Sequence, residues 1–399
     1  MVNEATVRTV PTGDGPVGDE LDQCVHASRL LGADPTLVLH GGGNTSVKMP
    51  WRDITGAVIE ALYVKGSGWD LAIIERAGFA PLPLARLRAL LALETLSDPD
   101  MMRELSAARL DPAAPQPSVE ALLHAFLPHR VVLHSHADLI LTLTNTPDGD
   151  AIVREVFGDS VVVVPYVMPG FDLAREVLAR WDADSHPGTV GIVLMNHGLF
   201  SFADTAEAAY RSHLDLIDLA RQRVAASPPL AHRDPAVAAN AHACACQLAA
   251  LRQTISAAAG QPMIVTRDTS ADTMTFVGRH DLADVATRGP VTPDHVIRTK
   301  RVPLVGRDVD AFVADYRSYY DEHEHRSRTP ITMLDPAPRV LLDPELGMLT
   351  VGHRPADAAI AADIYRHTMQ VITTSEERLG GWAPLPPFHL FDLEYWDLE

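Results

Sequence analysis

Residues 131–140 read VVLHSHADLI. The run has the apolar composition of a buried strand, yet imidazoles interrupt it at 134 and 136. In a strand, residues i and i+2 share a face and lie about 6.5–7 Å apart. His134 and His136 are therefore expected to present both rings to one side, with Ser135 facing the other. Two nitrogens converging on one point suit a zinc ion, whose N–Zn distances are about 2 Å. A third ligand is still needed. MNHGLFSF offers His197, which ends the apolar run GTVGIVLM and precedes Gly198. A satisfied core histidine is the plain alternative for any one of the three. A pair at i, i+2 with a third at the mouth of another strand favours a metal.

Three turns accompany the histidines. LVLHGGGNTSVK places Gly41, Gly42 and Gly43 before Asn44, Thr45 and Ser46. It lacks the lysine of a phosphate-binding Walker loop and departs from the dinucleotide fingerprint. Its physical reading is a glycine turn whose backbone N–H groups, with the Asn and Thr/Ser side chains, form an anion nest; a plain hairpin turn is the alternative. VKGSGWD repeats the idea with Ser67 between Gly66 and Gly68. In QPSVEALLHAFLP, Ser118 is expected to cap the following helix and Glu120 to lie in its first turn. Glu120 then reaches toward the metal as a base, and the turns form a phosphate pocket beside it.

The 399 residues suffice for two or three domains. Strand-like runs (TLVLH, VIEALYVK, VVLHSHADLILTLT, SVVVVPYV, GTVGIVLMNHG) alternate with helical stretches at 17–32 and near 82–97, 118–127, 172–181 and 203–225. That mixture predicts a sheet flanked by helices. SPPLAHRDP, 227–235, marks a boundary. The expected organisation is a flexible tail over 1–16, a catalytic domain over 17–228, and a smaller α+β domain of unknown role over 229–399. The latter should contain an Ala-rich helix at 236–259, a strand at PMIVT, a helix at 308–324, a hairpin at RVLLDPELGMLTVG and a last helix at 355–374.

The formal charge of −19 repels nucleic acid and anionic membranes, so neither is an expected partner. No apolar run reaches the roughly 18 residues of a membrane span, and the N-terminus lacks the pattern of a signal peptide. Cys24, Cys244 and Cys246 cannot form a disulfide framework, which points to a reducing cytoplasm.

The ordered set GGGNTS, KGSG, PSVE, HSHA and NHGLF resembles the class II aldolase/adducin family over roughly the first 225 residues. The resemblance implies an α/β/α sandwich with a mainly antiparallel sheet. It implies zinc, with cobalt or manganese as alternatives, held by His134, His136 and His197. It also implies Glu120 as catalytic carboxylate, and substrate-phosphate contacts at Gly43, Asn44, Ser67, Gly68 and Ser118. Val119 stands where the family has a second serine. Tyr166, in VVVVPYVMPG, matches the segment of the family's proton-donating tyrosine. RGPVTPDHVIRTKR and LGMLTVG…IAADIYRHTMQVI are similar to the long aldolase portion of bifunctional rhamnulose-phosphate aldolase/dehydrogenase proteins. The dehydrogenase part is not expected here, so no redox activity is predicted.

The implied activity is cleavage of a deoxy-ketose 1-phosphate such as rhamnulose 1-phosphate to dihydroxyacetone phosphate and a short aldehyde such as lactaldehyde. The metal acts as Lewis acid on the carbonyl side, and Glu120 moves the proton. Epimerisation or decarboxylation through the same enediolate, and an adducin-like binding role, are the alternatives. The family's usual assembly is a homotetramer. His242, Cys244 and Cys246 in HACAC are expected to pack rather than bind metal, because i and i+2 diverge on a helix. DEHEHR, 321–326, is expected to be a solvated helix end. Arg298 and Lys300 either form a structural salt bridge or reach the substrate phosphate.

Overall fold

The structure, a computed structural model, describes residues 18–228, 245–327 and 329–396. The expected tail, most of the expected break at 227–235 and the start of the Ala-rich helix lie outside these residues. So do His242 and Cys244.

Seven strands of the first half form one sheet: β1 (Asn44–Arg52), β2 (Val58–Lys65), β3 (Phe79–Pro83), β4 (Val131–Ser135), β5 (Val161–Val164), β6 (Gly191–Leu194) and β7 (Gly198–Ala203). Their order is β3-β2-β1-β4-β7-β6-β5, and only β5–β6 is parallel. The period of two makes both faces apolar. Val131 and Leu133 of β4 enter a core shared with helices Glu20–Gly32 and Ala206–Ala226. Val132 enters the opposite core, under helices Leu84–Leu91 and Phe171–Asp184. The result is three layers. Each fully buried large side chain contributes about 1.5–3 kcal/mol, and a one-residue slip would exchange the faces of the whole strand.

The second half builds its own sheet from β8 (Ile264–Asp268), β9 (Leu304–Val305), β10 (Val340–Asp343) and β11 (Gly347–Gly352), in the order β8-β11-β10-β9. The long helix Pro355–Arg378 crosses back to the first half. There, Ser375 Oγ donates to the Thr142 carbonyl (3.3 Å), and His367 Nδ1 pairs with Asp138. The expected α/β/α layer with a smaller α+β part is therefore present.

Two strand expectations were wrong. TLVLH (36–40) forms turn and irregular backbone, because Asp34 folds the chain locally. Its Oδ1 accepts from Thr36 N at 3.0 Å and its carbonyl from Leu37 N at 2.9 Å. VVLHSHADLILTLT is not one strand. β4 stops at Ser135, and Asp138–Thr144 is a helix. That helix has no polar face to reveal its period, since Ile140 and Leu143 enter the first-half core while Leu141 enters the core of the second half. An apolar run buried on all sides reads alike as strand or helix. Helices Asp98–Ala107 and Gly149–Phe157 were not anticipated.

Candidate metal centre and active site

β1, β4 and β7 are the three central strands, with Asn44 opposite His134 and His134 opposite Phe200. His134 lies flat on the Phe200 ring, centroids 4.0 Å apart, and is fully buried. His136 follows just past the end of β4, and its Nε2 lies 3.1 Å from His134 Nε2. The β6–β7 turn delivers His197 to the same place. Asn196 takes a positive φ of 59° there, and Gly198 lets the turn press onto β4. A Cβ on Gly198 would lie 2.3 Å from the Ser135 carbonyl oxygen and 2.9 Å from the His134 ring. The three histidines offer ligand atoms all within 4.8 Å of one another, the one such group among the described residues.

The donor set fits a divalent cation. His134 Nδ1 donates to the Leu199 carbonyl (3.1 Å), which leaves the Nε2 lone pair free for a ligand bond. His136 Nδ1 faces the Asp294 carboxylate at 3.3 Å, a second fixed tautomer. Burial pushes His134 well below the usual histidine range and His197 to about 3, so both rings stay neutral, as a metal ligand must be. For His136 burial acts the same way, but the nearby Asp294 and Glu120 carboxylates outweigh it and raise its pKa. Two neighbouring ligands on tetrahedral zinc stand about 3.3 Å apart, close to the spacing of His134 and His136.

Glu120 completes the cluster. Its carboxylate lies 3.7 Å from His134 Nε2 and 3.6 Å from His197 Nε2, and its Oε1 is buried without a hydrogen-bond partner. Burial pushes its pKa up to about 7, against the opposing charge of His136 and the hydrogen bond from Asn44. Asn44 Nδ2 donates to Glu120 Oε2 and to Ser118 Oγ (3.2 Å). Its own Oδ1 accepts from His124 Nε2, and His124 Nδ1 accepts from Ser46 Oγ (2.8 Å). The chain Ser46–His124–Asn44–Glu120 thus fixes the amide and, through it, the carboxylate. Burial holds His124 at about 3, so its single ring proton stays on the nitrogen that faces Asn44.

The three turns do meet. Lys65 Nζ donates to the Gly41 carbonyl (2.8 Å), Ser67 N to the Gln116 carbonyl (2.8 Å), and Gly66 bridges Pro117. Gly43 takes φ 61°, and a Cβ there would stand 2.7 Å from the His134 carbonyl oxygen. Ser67 and Gly68 are exposed at the surface of this junction. Thr45 and Ser46, expected in the anion nest, point into the protein instead. Thr45 pairs with Ser28 (2.7 Å) and Ser46 with His124. Strand alternation turns Thr45 to the other face, whereas Ser46 shares the face of Asn44 but is engaged by His124, so only Asn44 of that trio bonds Glu120. Glu120 occupies the N-cap position of helix Ala121–Phe126, not its first turn, and Ser118 Oγ accepts from Glu120 N at 3.3 Å. Tyr166 stands just past β5 with its ring against His389 of helix Pro387–Glu394 (centroids 4.7 Å). Its hydroxyl is buried without a partner, and burial, then Asp392 and Asp294, raise its pKa.

Residues 22–224 match the model of the class II aldolase and adducin N-terminal domain, and residues 242–399 match that of the class II aldolase second domain. The chain belongs to the class II aldolase/adducin family. Over 95% of its length it is 30% identical to an uncharacterized oxidoreductase, YuxG, of Bacillus subtilis (strain 168), and it spans 57% of that relative's length. Among solved structures it is similar to the N-terminal class II aldolase domain of a conserved Thermoplasma acidophilum protein. That match is 41% identical, covers 53% of this chain and 96% of that one, and has a TM-score of 0.49. It is also similar to an L-fuculose-1-phosphate aldolase of Thermus thermophilus, at 17% identity over 51% of this chain and 94% of that one, with a TM-score of 0.33. Class II aldolases generally use a divalent metal, and in this member the second half also reaches the histidines.

Asp294, Lys65 and His124 are the site neighbours that sequence reasoning missed. His124 had a signal, since it follows Glu120 by one helical turn in PSVEALLH. Lys65 lies in the quoted KGSG, is buried, and its charge lowers the pKa of both Glu120 and His136. Of the two expected cations, Lys300 falls on the structural side. Lys300 Nζ is buried against Tyr316 OH (2.9 Å) and Glu394 (3.4 Å), and Arg298 is exposed. DEHEHR is mostly solvated, but His323 is buried against Tyr319 and Phe391. Of HACAC, Cys246 is described and is exposed. No helix among the described residues is long and apolar enough to cross a membrane.

Proposed function

We propose that this chain is a divalent-metal-dependent aldolase. It cleaves, or forms, a deoxy-ketose 1-phosphate such as rhamnulose 1-phosphate, with dihydroxyacetone phosphate and a short aldehyde such as lactaldehyde as the other side of the reaction. The observation that carries this reading is the meeting of three converging imidazoles with the buried Glu120 carboxylate, 3.6 and 3.7 Å from His197 and His134. His134, His136 and His197 hold the metal, zinc in the first instance. When bound, it supplies Lewis acidity toward the carbonyl side of the substrate.

Glu120 then moves the proton at the carbon next to the carbonyl. A carboxyl with a pKa near 7 can both take and return a proton at neutral pH. Asn44 holds Glu120 in place, and the exposed turn of Ser67 and Gly68, with Gly43, Asn44 and Ser118, receives the phosphate. Tyr166 protonates the aldehyde oxygen. Residues 17–228 carry the chemistry, with a second domain over 229–399, and the protein works in the cytoplasm as a homo-oligomer, a tetramer by family habit. Product analysis of the metal-loaded protein with ketose 1-phosphates tests this reading. Two carbon fragments are expected. A single isomeric phosphate, or carbon dioxide from a phosphorylated acid, would contradict it.

A further inference from the structure

The second half of the chain reaches the histidine cluster through Asp294. The loop Val291–His295 lies between the strands β8 and β9, and it ends with Asp294 Oδ2 3.3 Å from His136 Nδ1. The loop is clamped to the first half through Asn145. Asn145 Nδ2 donates to the Val291 carbonyl (3.1 Å), and its Oδ1 accepts from Asn196 Nδ2 (2.8 Å), the residue before His197. Its carbonyl accepts from Ala383 N (2.8 Å). One buried asparagine thereby ties the His197 turn and the Asp294 loop together, so that the two are placed as a unit.

The joint is also where polar atoms lack protein partners. Thr292 Oγ1, Asp294 Oδ1 and His295 Nδ1 of the second half are buried without hydrogen bonds, as are Glu120 Oε1, His197 Nδ1 and Tyr166 OH of the first. Such a group is costly to bury unless something pairs it. Three of them, Asp294 Oδ1, Glu120 Oε1 and His197 Nδ1, belong to side chains of the cluster itself, where Asp294 meets His136 and Glu120 meets His134 and His197.

We propose that Asp294 is a positioning residue for the metal centre, so that the centre is incomplete without the second half of the chain. Its carboxylate accepts Nδ1–H of His136 and turns the Nε2 lone pair toward His134 and His197. This is the carboxylate–histidine–metal arrangement, and loss of such a partner typically costs 10–100-fold in metal affinity. The inference rests on the metal-centre reading above, and its test separates the two.

The experiment is a competition titration of zinc and cobalt against a chromophoric chelator, with the full chain. Wild type, Asp294→Ala, Asp294→Asn, Ile297→Ala and His134→Ala are compared. Ile297 is an exposed neighbour on the following helix and serves as control. The expected result is a 10–100-fold weaker metal Kd for Asp294→Ala, a smaller loss for Asp294→Asn, whose amide oxygen still accepts, and no change for Ile297→Ala. The cobalt absorption spectrum should shift in the Asp294 variants, which a merely structural role would not produce. Equal Kd and unchanged spectra for both Asp294 variants would overturn the proposal while leaving the histidine centre intact. Wild type that binds neither metal would overturn the metal centre itself. If Asp294→Ala does not fold, Asp294→Asn decides alone.

Discussion

β4 carries histidine chemistry on both faces, and the two faces differ. On one, Ser135 Oγ meets His213 Nε2 at 2.7 Å, while His213 Nδ1 meets Ser201 Oγ at 2.9 Å. Both ring nitrogens are paired with protein, and the ring is buried in helix Ala206–Ala226. On the other face, His134 has Nδ1 paired with a carbonyl, but its Nε2 faces His136 and Glu120. Burial alone therefore does not mark a site, because His213 and His134 are equally buried. What distinguishes them is the second nitrogen. A ring satisfied at both ends is structure, whereas His134 and His136, held at Nδ1 with their Nε2 atoms converging, form with His197 a centre for something not made of protein.

The comparison breaks most visibly at His134. His134→Ala should lose the metal and all measurable turnover, read by elemental analysis and product release; retained metal would erase the difference between the faces. Glu120→Gln should keep the metal yet lose about 10²–10⁴-fold in kcat, the usual worth of a positioned acid–base group. A kcat within a few-fold of wild type would assign the proton to another residue. Ser67→Ala should raise KM about 10–100-fold with kcat nearly unchanged, since a hydrogen bond to a charged group is worth about 1.5–3 kcal/mol. An unchanged KM would move the phosphate elsewhere.

The smallest effect belongs to the structural face. Burial lowers the His213 pKa to about 3, below the ordinary 6.5. The folded form thus disfavours the proton. The stability this ring contributes is present above pH 6.5 and is lost as pH falls from there toward 3, by up to about 1.4 kcal/mol per pH unit. His213→Gln should flatten the fall in urea midpoint between pH 6.5 and 5 while leaving metal stoichiometry unchanged. An unaltered slope would show that other groups carry the acid sensitivity.

Much of the site was legible because its signals are local. The period of two in HSH and the glycine after His197 are set within a few residues, and they survive in the structure as a shared face and a close approach at Gly198. Glu120 was legible for the same reason. TLVLH and DLILTLT misled because their residues are buried from turns and on all sides of a helix, where no polar face leaves a period. Asp294 carried no local signal. It lies in TPDH, an ordinary turn sequence, and acquires its meaning only when the second half folds back and Asn145 clamps the loop beside His136.

The most direct measurement is release of dihydroxyacetone phosphate from rhamnulose 1-phosphate and its deoxy-ketose analogues, before and after chelation. The account predicts release that stops with chelator and returns with zinc. Protein shown to carry metal at the three histidines, yet releasing no dihydroxyacetone phosphate from any of these substrates, would contradict it.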